Sequence, residues 1–80
     1  MIELTILLNS VNRVKQFVQI VNEYPFNVDL VKDHYIVDGK SIMGIFSLNL
    51  KDPITLKIRT EPSPEADALR AALEPFIDQS

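Results

Sequence analysis

Three kinds of side chain in this sequence could take part in chemistry: one histidine, one carboxylate pair, and serines at predicted helix starts. His34 is the only histidine, and it follows Asp33 where a hairpin turn is expected. An imidazole can act as a general base, but a histidine in such a turn is typically a solvated turn residue. Glu61 and Glu65 flank the predicted start of a helix, where the helix dipole already favours acidic side chains. Neither feature indicates a catalytic site, so we predict that the protein is not an enzyme.

Ser10 and Ser41 each precede a segment of periodic apolar residues, which is where a helix N-cap is expected. Serine suits this position because its hydroxyl accepts a hydrogen bond from a free backbone N–H of the first turn. A phosphate at such a serine would also be stabilised, because free N–H groups and the helix dipole favour negative charge there. The residues alone favour a cap at both serines and leave a modified serine open as the alternative.

Composition and charge exclude several classes of function. The chain has 80 residues, 46% of them apolar, and a net charge of -3, which predicts one domain spanning residues 1–80 with a single core. Its eight basic residues are scattered, so nucleic acid is not an expected partner. The chain has neither a membrane-helix pattern nor a signal-peptide pattern, so we expect a cytoplasmic protein without membrane association. With no cysteine, thiolate catalysis and cysteine metal sites are excluded, and no cofactor or metal is indicated.

Hydrophobic periodicity predicts the elements of the first half. Residues 2–8 are typical of a buried strand, and apolar residues from Val11 to about Glu23 recur at helical spacing until Pro25 ends the helix. Alternating residues over 26–30 then indicate a half-buried second strand.

The second half begins with two turns around a third strand. Asp33–His34 is predicted to be a hairpin turn before residues 35–37, and Asp38–Gly39 a second turn because both residue types tolerate positive φ. Residues 42–48 suit a short helix, and the strict alternation over 54–59 is the clearest strand signal in the chain.

The last predicted element is a helix. Ser63, Pro64 and Glu65 supply the cap, the proline and the acid that are typical of a helix start, and Pro75 should bend or fray its end. The order strand, helix, strand, strand, helix, strand, helix predicts an α+β fold, in which a mostly antiparallel sheet carries the helices on one face. The predicted core contains Val14, Phe17, Val18, Leu56, Ile58, Leu69 and Leu73.

The segment Lys40–Leu48 resembles the regulatory-serine segment of the HPr family, the small phosphocarrier proteins of the bacterial sugar phosphotransferase system. In both, a serine-isoleucine-methionine-glycine run is followed two residues later by serine-leucine. The flanking segments Phe17–Gln19, Pro53–Ile58 and Ala66–Leu69 also match. The resemblance covers nearly the whole chain and implies the family's open-faced β-sandwich, with a four-stranded antiparallel sheet and three helices in the order β-α-β-β-α-β-α.

The histidine that the family phosphorylates has no counterpart here. The resemblance implies a run of glycine, an aliphatic residue, histidine, alanine, arginine and proline before the first helix. Counting back from Phe17 without gaps places Ser10 at the histidine and Asn12 at the arginine, and the loop before them is shorter. A phosphate ester on serine lacks the transfer potential of a phosphoramidate on imidazole. The sequence therefore predicts that histidine phosphotransfer has been lost.

The family also assigns roles to the segment after Lys40. The resemblance implies that Ser41 is a regulatory phosphorylation site and that Ile42, Met43 and Phe46 bind partners. The residues support a binding face, because a two-turn helix cannot bury both faces against one sheet and methionine with an aromatic suits an adaptable surface.

These observations predict a non-enzymatic, HPr-like regulatory module. The resemblance implies protein partners, namely a regulatory HPr kinase and a transcription regulator or an enzyme. Two alternatives stay open: a true phosphocarrier, and a constitutive scaffold or dimerisation domain that uses the same apolar face. The sequence does not determine the oligomeric state.

Overall fold

Four strands and three α-helices follow one another along residues 1–78, the part of the chain that the computed structural model describes. The predicted order β-α-β-β-α-β-α is confirmed, and a short 3-10 helix at Glu74–Phe76 follows the last α-helix. The elements are β1 (Ile2–Ile6), α1 (Val11–Val21), β2 (Asn27–Lys32), β3 (Tyr35–Asp38), α2 (Ile42–Phe46), β4 (Ile54–Arg59) and α3 (Pro64–Ala72).

The strands form one antiparallel sheet in the order β1-β4-β2-β3, which confirms the predicted sheet. Its register aligns Leu4 with Leu56, Leu56 with Leu30, and Leu30 with Val37. Because side chains alternate along a strand, this apolar row lies on the helix-covered face and the neighbouring rows point away from it. The adjacent row, which includes Glu3 and Lys57, is polar, as expected for an outer face open to water.

The core lies between the sheet and the helices. Six of the seven predicted core residues are fully buried, while Val18 is half-buried and packs against the core. The fully buried ones are Val14, Phe17, Leu56, Ile58, Leu69 and Leu73. None of the helices within residues 1–78 is long and apolar enough to span a membrane.

The buried stripe of α1 is narrower than the sequence predicts. Its buried residues are Val14, Phe17 and Val21, whereas Val11 is 55% exposed. At 100° per residue, Val11 lies about 90° from the centre of that stripe and Val18 about 65° from it. Val11 therefore lies outside the buried stripe although it shares the helical spacing, and Val18 lies at the margin of the stripe.

Two further predictions need correction. The first strand ends at Ile6 rather than at residue 8 and is buried on one face only, since Glu3 and Thr5 are exposed on the outer face. The turn at Gly39 forms, but Asp33 (φ 54°) is the one residue of the described chain with a positive φ. Position 39 requires glycine because of close packing rather than a positive φ: a Cβ there would lie 2.6 Å from Cγ2 of Val28.

The end of the described chain covers one edge of the sheet. After α3, the 3-10 helix around Pro75 redirects the backbone, as predicted for that proline. Ile77 then forms a bridge with Ile6, and the N–H of Asp78 donates to the carbonyl of Thr5 at 2.9 Å. The outer edge of β1 is therefore partly paired, whereas β3 at the other end of the sheet has a neighbour on one side only within the described residues.

Candidate functional site

Ser41 caps α2 as predicted. Its hydroxyl oxygen accepts a hydrogen bond from the N–H of Gly44 at 3.2 Å, and the residue is exposed. The chain before it is held in place, because the Lys40 N–H donates to the Asp38 carboxylate at 2.9 Å and the Lys40 ammonium donates to the Tyr24 carbonyl at 2.8 Å. Ser41 thus presents an accessible hydroxyl on an anchored turn.

The helix that follows Ser41 has one buried and one exposed side. Ile45 is buried in the core, whereas Met43 is 78% and Phe46 40% exposed. Ile42 is half-buried and packs against the core. Helical geometry explains these differences, because Met43 points about 160°, Phe46 about 100° and Ile42 only about 60° away from Ile45. Of the three predicted binding residues, Met43 and Phe46 form an exposed pair, and Ile42 contributes only the margin of that face.

α2 is shorter than predicted. It ends at Phe46, and the Ser47 hydroxyl donates to the Gly44 carbonyl as the backbone leaves the helix. Leu48 is nevertheless buried, because the turn after the helix returns it to the core.

Ser10, which the resemblance places at the family's histidine, is the N-cap of α1. Its hydroxyl oxygen accepts a hydrogen bond from the N–H of Arg13 at 3.2 Å, and its backbone is extended, as is typical of a cap. The loop that joins β1 to α1 comprises residues 7–10. The structure therefore gives Ser10 the capping role that the residues alone favour.

Arg13 has a structural role that the sequence did not predict. Two of its guanidinium nitrogens donate to the Leu7 carbonyl, Nε at 3.1 Å and Nη2 at 2.9 Å. Nη2 also donates to the Pro75 carbonyl at 3.0 Å. The same guanidinium lies 5.0 Å from the centre of the Phe76 ring. Arg13 thereby joins the loop before α1 to the segment after α3, and no local pattern could have indicated a contact between residues 62 positions apart.

The other candidates for chemistry lie apart from these two helix starts. His34 is exposed in the turn between β2 and β3, as predicted, and Glu61 and Glu65 are exposed around the start of α3. Within residues 1–78, no three histidine, cysteine, aspartate or glutamate side chains are placed to hold a metal ion together.

Comparisons with known proteins agree on one family. Residues 12–79 match the family described as the PTS HPr component phosphorylation site. The HPr-like protein Crh of Halalkalibacterium halodurans is 35% identical over 63 residues, which are 79% of this chain and 74% of that protein. The match to the family begins two residues after Ser10 and includes the whole segment from Ser41 to Leu48.

Two solved structures extend the similarity to the fold. HPr-C-His from Thermoanaerobacter tengcongensis has a TM-score of 0.76 at 28% identity, covering 95% of this chain and 91% of that one. Crh, the catabolite repression containing protein of Bacillus subtilis, has a TM-score of 0.65 at 32% identity, covering 99% of this chain and 93% of that one. That Crh is an intertwined dimer with a swapped domain.

Proposed function

The chain belongs to the HPr family, and we propose that it is a Crh-like interaction module of the phosphotransferase system, without enzymatic activity and without histidine phosphotransfer. The module acts in the cytoplasm through protein contacts. The observation that carries this proposal is the position of Ser10, which caps α1 where the family resemblance aligns the phosphorylated histidine. A serine there cannot form the phosphoramidate that such a relay requires.

The surroundings of Ser10 support the loss of the relay. The residue aligned with the family's arginine is Asn12, which carries no positive charge to steady a phosphoryl group. The nearest basic side chain in the sequence, Arg13, directs its guanidinium at the carbonyls of Leu7 and Pro75. These hydrogen bonds occupy donors that a phosphate would otherwise use.

His34 is the remaining imidazole, and its position does not suit the same task. It lies in the turn between β2 and β3, whereas the family's histidine precedes a helix whose free N–H groups stabilise a phosphate. Phosphoryl transfer depends on positioning, so an exposed turn histidine is a poor acceptor.

Incubation with phosphoenolpyruvate and the first enzyme of the phosphotransferase system tests this part of the proposal. We expect no acid-labile phosphate on this protein, under conditions in which a histidine-containing HPr is fully labelled. The wild-type chain and its His34→Ala variant should give the same result by intact-mass spectrometry. Labelling that disappears in His34→Ala would contradict the proposal and favour the phosphocarrier alternative.

The proposed partner surface is the exposed pair Met43 and Phe46, with Ile42 at its margin and Ser41 as its regulatory residue. Three observations support it: the Ser41 hydroxyl is exposed, the two large apolar side chains follow it on one short helix, and Ile45 anchors that helix in the core. The partners in this proposal are a regulatory HPr kinase and a transcription regulator or an enzyme.

Phosphorylation of Ser41 should change the contact rather than the fold. The hydroxyl oxygen already accepts from Gly44, and a phosphate keeps an oxygen in that place, with a gain of about 0.3 to 1 kcal/mol from the helix dipole. A partner would meet about 1.5 to 2 new negative charges beside the apolar pair, which an arginine can bind through charge-assisted hydrogen bonds.

Treatment with the regulatory HPr kinase and ATP tests the role of Ser41. We expect a single phosphate, which Ser41→Ala removes and Ser47→Ala does not. The variant Ser41→Asp should keep the wild-type melting temperature to within a few degrees, since the cap acceptor is retained. Should the kinase leave the protein unmodified, the constitutive scaffold would become the better hypothesis.

A further inference from the structure

The two edges of the sheet differ in their protection. At the β1 edge, Ile77 bridges to Ile6 and Asp78 donates to the Thr5 carbonyl. At the other edge, β3 pairs with β2 on one side and has no neighbouring strand on the other within residues 1–78. Open edges expose backbone groups that can pair with another chain, so the β3 edge is a place where association can occur.

The β3 edge is also apolar and unblocked. Tyr35 is 68% and Ile36 67% exposed, and the strand Tyr35–Asp38 contains no lysine or proline, two residues that commonly protect an edge; its one charge, Asp38, lies at its end. Tyrosine, isoleucine and valine all favour strand pairing. The edge therefore has both the backbone and the side chains that a further strand would need.

Hydrogen-bond alternation identifies the backbone groups that face outward. The Gly39 N–H donates to the Val28 carbonyl at 2.8 Å, so Gly39 points its backbone groups at β2, as do the residues at alternate positions before it. Ile36 and Asp38 then point theirs away from β2. The Asp38 carbonyl already accepts from the Ser41 N–H at 3.0 Å, which leaves Ile36 as the residue with both groups available to a new strand.

We propose that two copies of this chain associate through their β3 strands, antiparallel and in register, with the two Ile36 residues opposite each other. This register pairs both outward backbone groups of Ile36 with those of its counterpart. A register centred on Val37 would place the isoleucine against a carboxylate, and one centred on Asp38 would place two carboxylates opposite each other. Charge and hydrogen bonding thus select the same arrangement.

The surface is self-complementary in this register, which is why a second copy is its occupant. On the outer face, the row formed by Thr55, Val31 and Ile36 continues into the same row of the second copy. On the inner side, Tyr35 faces Val37 of the second copy. Asp38 lies opposite His34 of the second copy, so this register places no two carboxylates directly opposite each other.

The proposed β3 dimer differs from both the proposed partner contact and a swapped dimer. The contact is only one short strand wide, so we expect a weak, rapidly exchanging dimer, as is typical of small interfaces. It does not use the proposed partner surface at Met43 and Phe46. It also exchanges no element between copies, unlike the swapped dimer of Bacillus subtilis Crh.

Cysteine cross-linking tests the register, because the chain has no cysteine of its own. Directly opposite Cα atoms of a hydrogen-bonded antiparallel pair lie about 5.5 Å apart, which suits a disulfide. The Asp38 residues of the two copies would be offset by four positions, about 13 Å along the strands. Ile36→Cys should therefore form a disulfide dimer at least about tenfold faster than Asp38→Cys or Val11→Cys under mild oxidation. Equal or reversed rates would overturn the proposal.

Sedimentation equilibrium measures the association itself. The wild-type chain should show a monomer–dimer equilibrium between about 10 μM and 1 mM. Ile36→Lys should weaken dimerisation at least about tenfold, because a charge on an edge strand prevents pairing. Val11→Lys, which also replaces an exposed apolar residue, should leave it unchanged. A chain that stays monomeric throughout this range would overturn the proposal. A dimer that survives Ile36→Lys would also overturn it, and slow dissociation of that dimer on dilution would indicate a swapped element.

Discussion

Replacement of Phe17 by alanine is expected to lower the free energy of unfolding by about 3–5 kcal/mol. Phe17 is fully buried, and its ring meets the edge of the Phe76 ring with centroids 6.2 Å apart. The substitution removes this contact and leaves a cavity beneath α1. A domain of this size has a total stability of about 4–12 kcal/mol, so the variant should lose a large share of it. Urea denaturation followed by circular dichroism measures the change.

The matched control is the same substitution at Phe46. This ring is 40% exposed on α2, so we expect Phe46→Ala to cost less than about 1 kcal/mol. The variant should remain folded while losing affinity for a partner that docks on Met43. A loss of stability similar to that of Phe17→Ala would make Phe46 a core residue and contradict the proposed partner surface.

Arg13→Ala is expected to destabilise the fold by about 2–3 kcal/mol. The variant loses the charge-assisted hydrogen bonds to the carbonyls of Leu7 and Pro75, together with the contact between the guanidinium and the Phe76 ring. Arg13→Lys should retain only part of this stability, because a single ammonium cannot reproduce the planar fork of donors. The melting temperature should fall by about 8–24 °C in Arg13→Ala.

Arg70→Ala serves as the control for loss of an arginine. Arg70 is exposed on α3, so its removal should change stability by less than about 0.5 kcal/mol. If Arg13→Ala proves no more destabilising than Arg70→Ala, the bonds to Leu7 and Pro75 contribute no net stability. In that case the Arg13 guanidinium would not be held by the fold and would be available to bind a phosphate.

The sequence by itself determined the features that depend on residues close together in the chain. Ser10, Ser41 and Ser63 all accept a hydrogen bond from the N–H three residues later, as their positions before apolar periodic segments predict. The alternation of β4 over Ile54–Arg59 is likewise confirmed. A cap spans one helical turn and a strand alternates over two residues, so such signals are complete within a short window.

The division of α2 into two faces was predictable because one sheet covers only one side of a short helix. Ile45 is buried while Met43 and Phe46 are exposed, as that argument requires. The degree of burial of Ile42 was not predictable, since it depends on how the helix is rotated over the sheet. That rotation is decided by packing among several elements rather than by the residues of α2.

Only the tertiary structure decided the contacts between distant segments. Within residues 1–78, the strand order β1-β4-β2-β3 leaves β3 open at one edge, while the segment after α3 pairs with part of the other. The same order brings Val28 so close to position 39 that only glycine fits, and it places Arg13 between Leu7 and Pro75. These contacts arise from pairings between residues far apart in the chain, and a local pattern carries no information on which distant backbone will lie beside it.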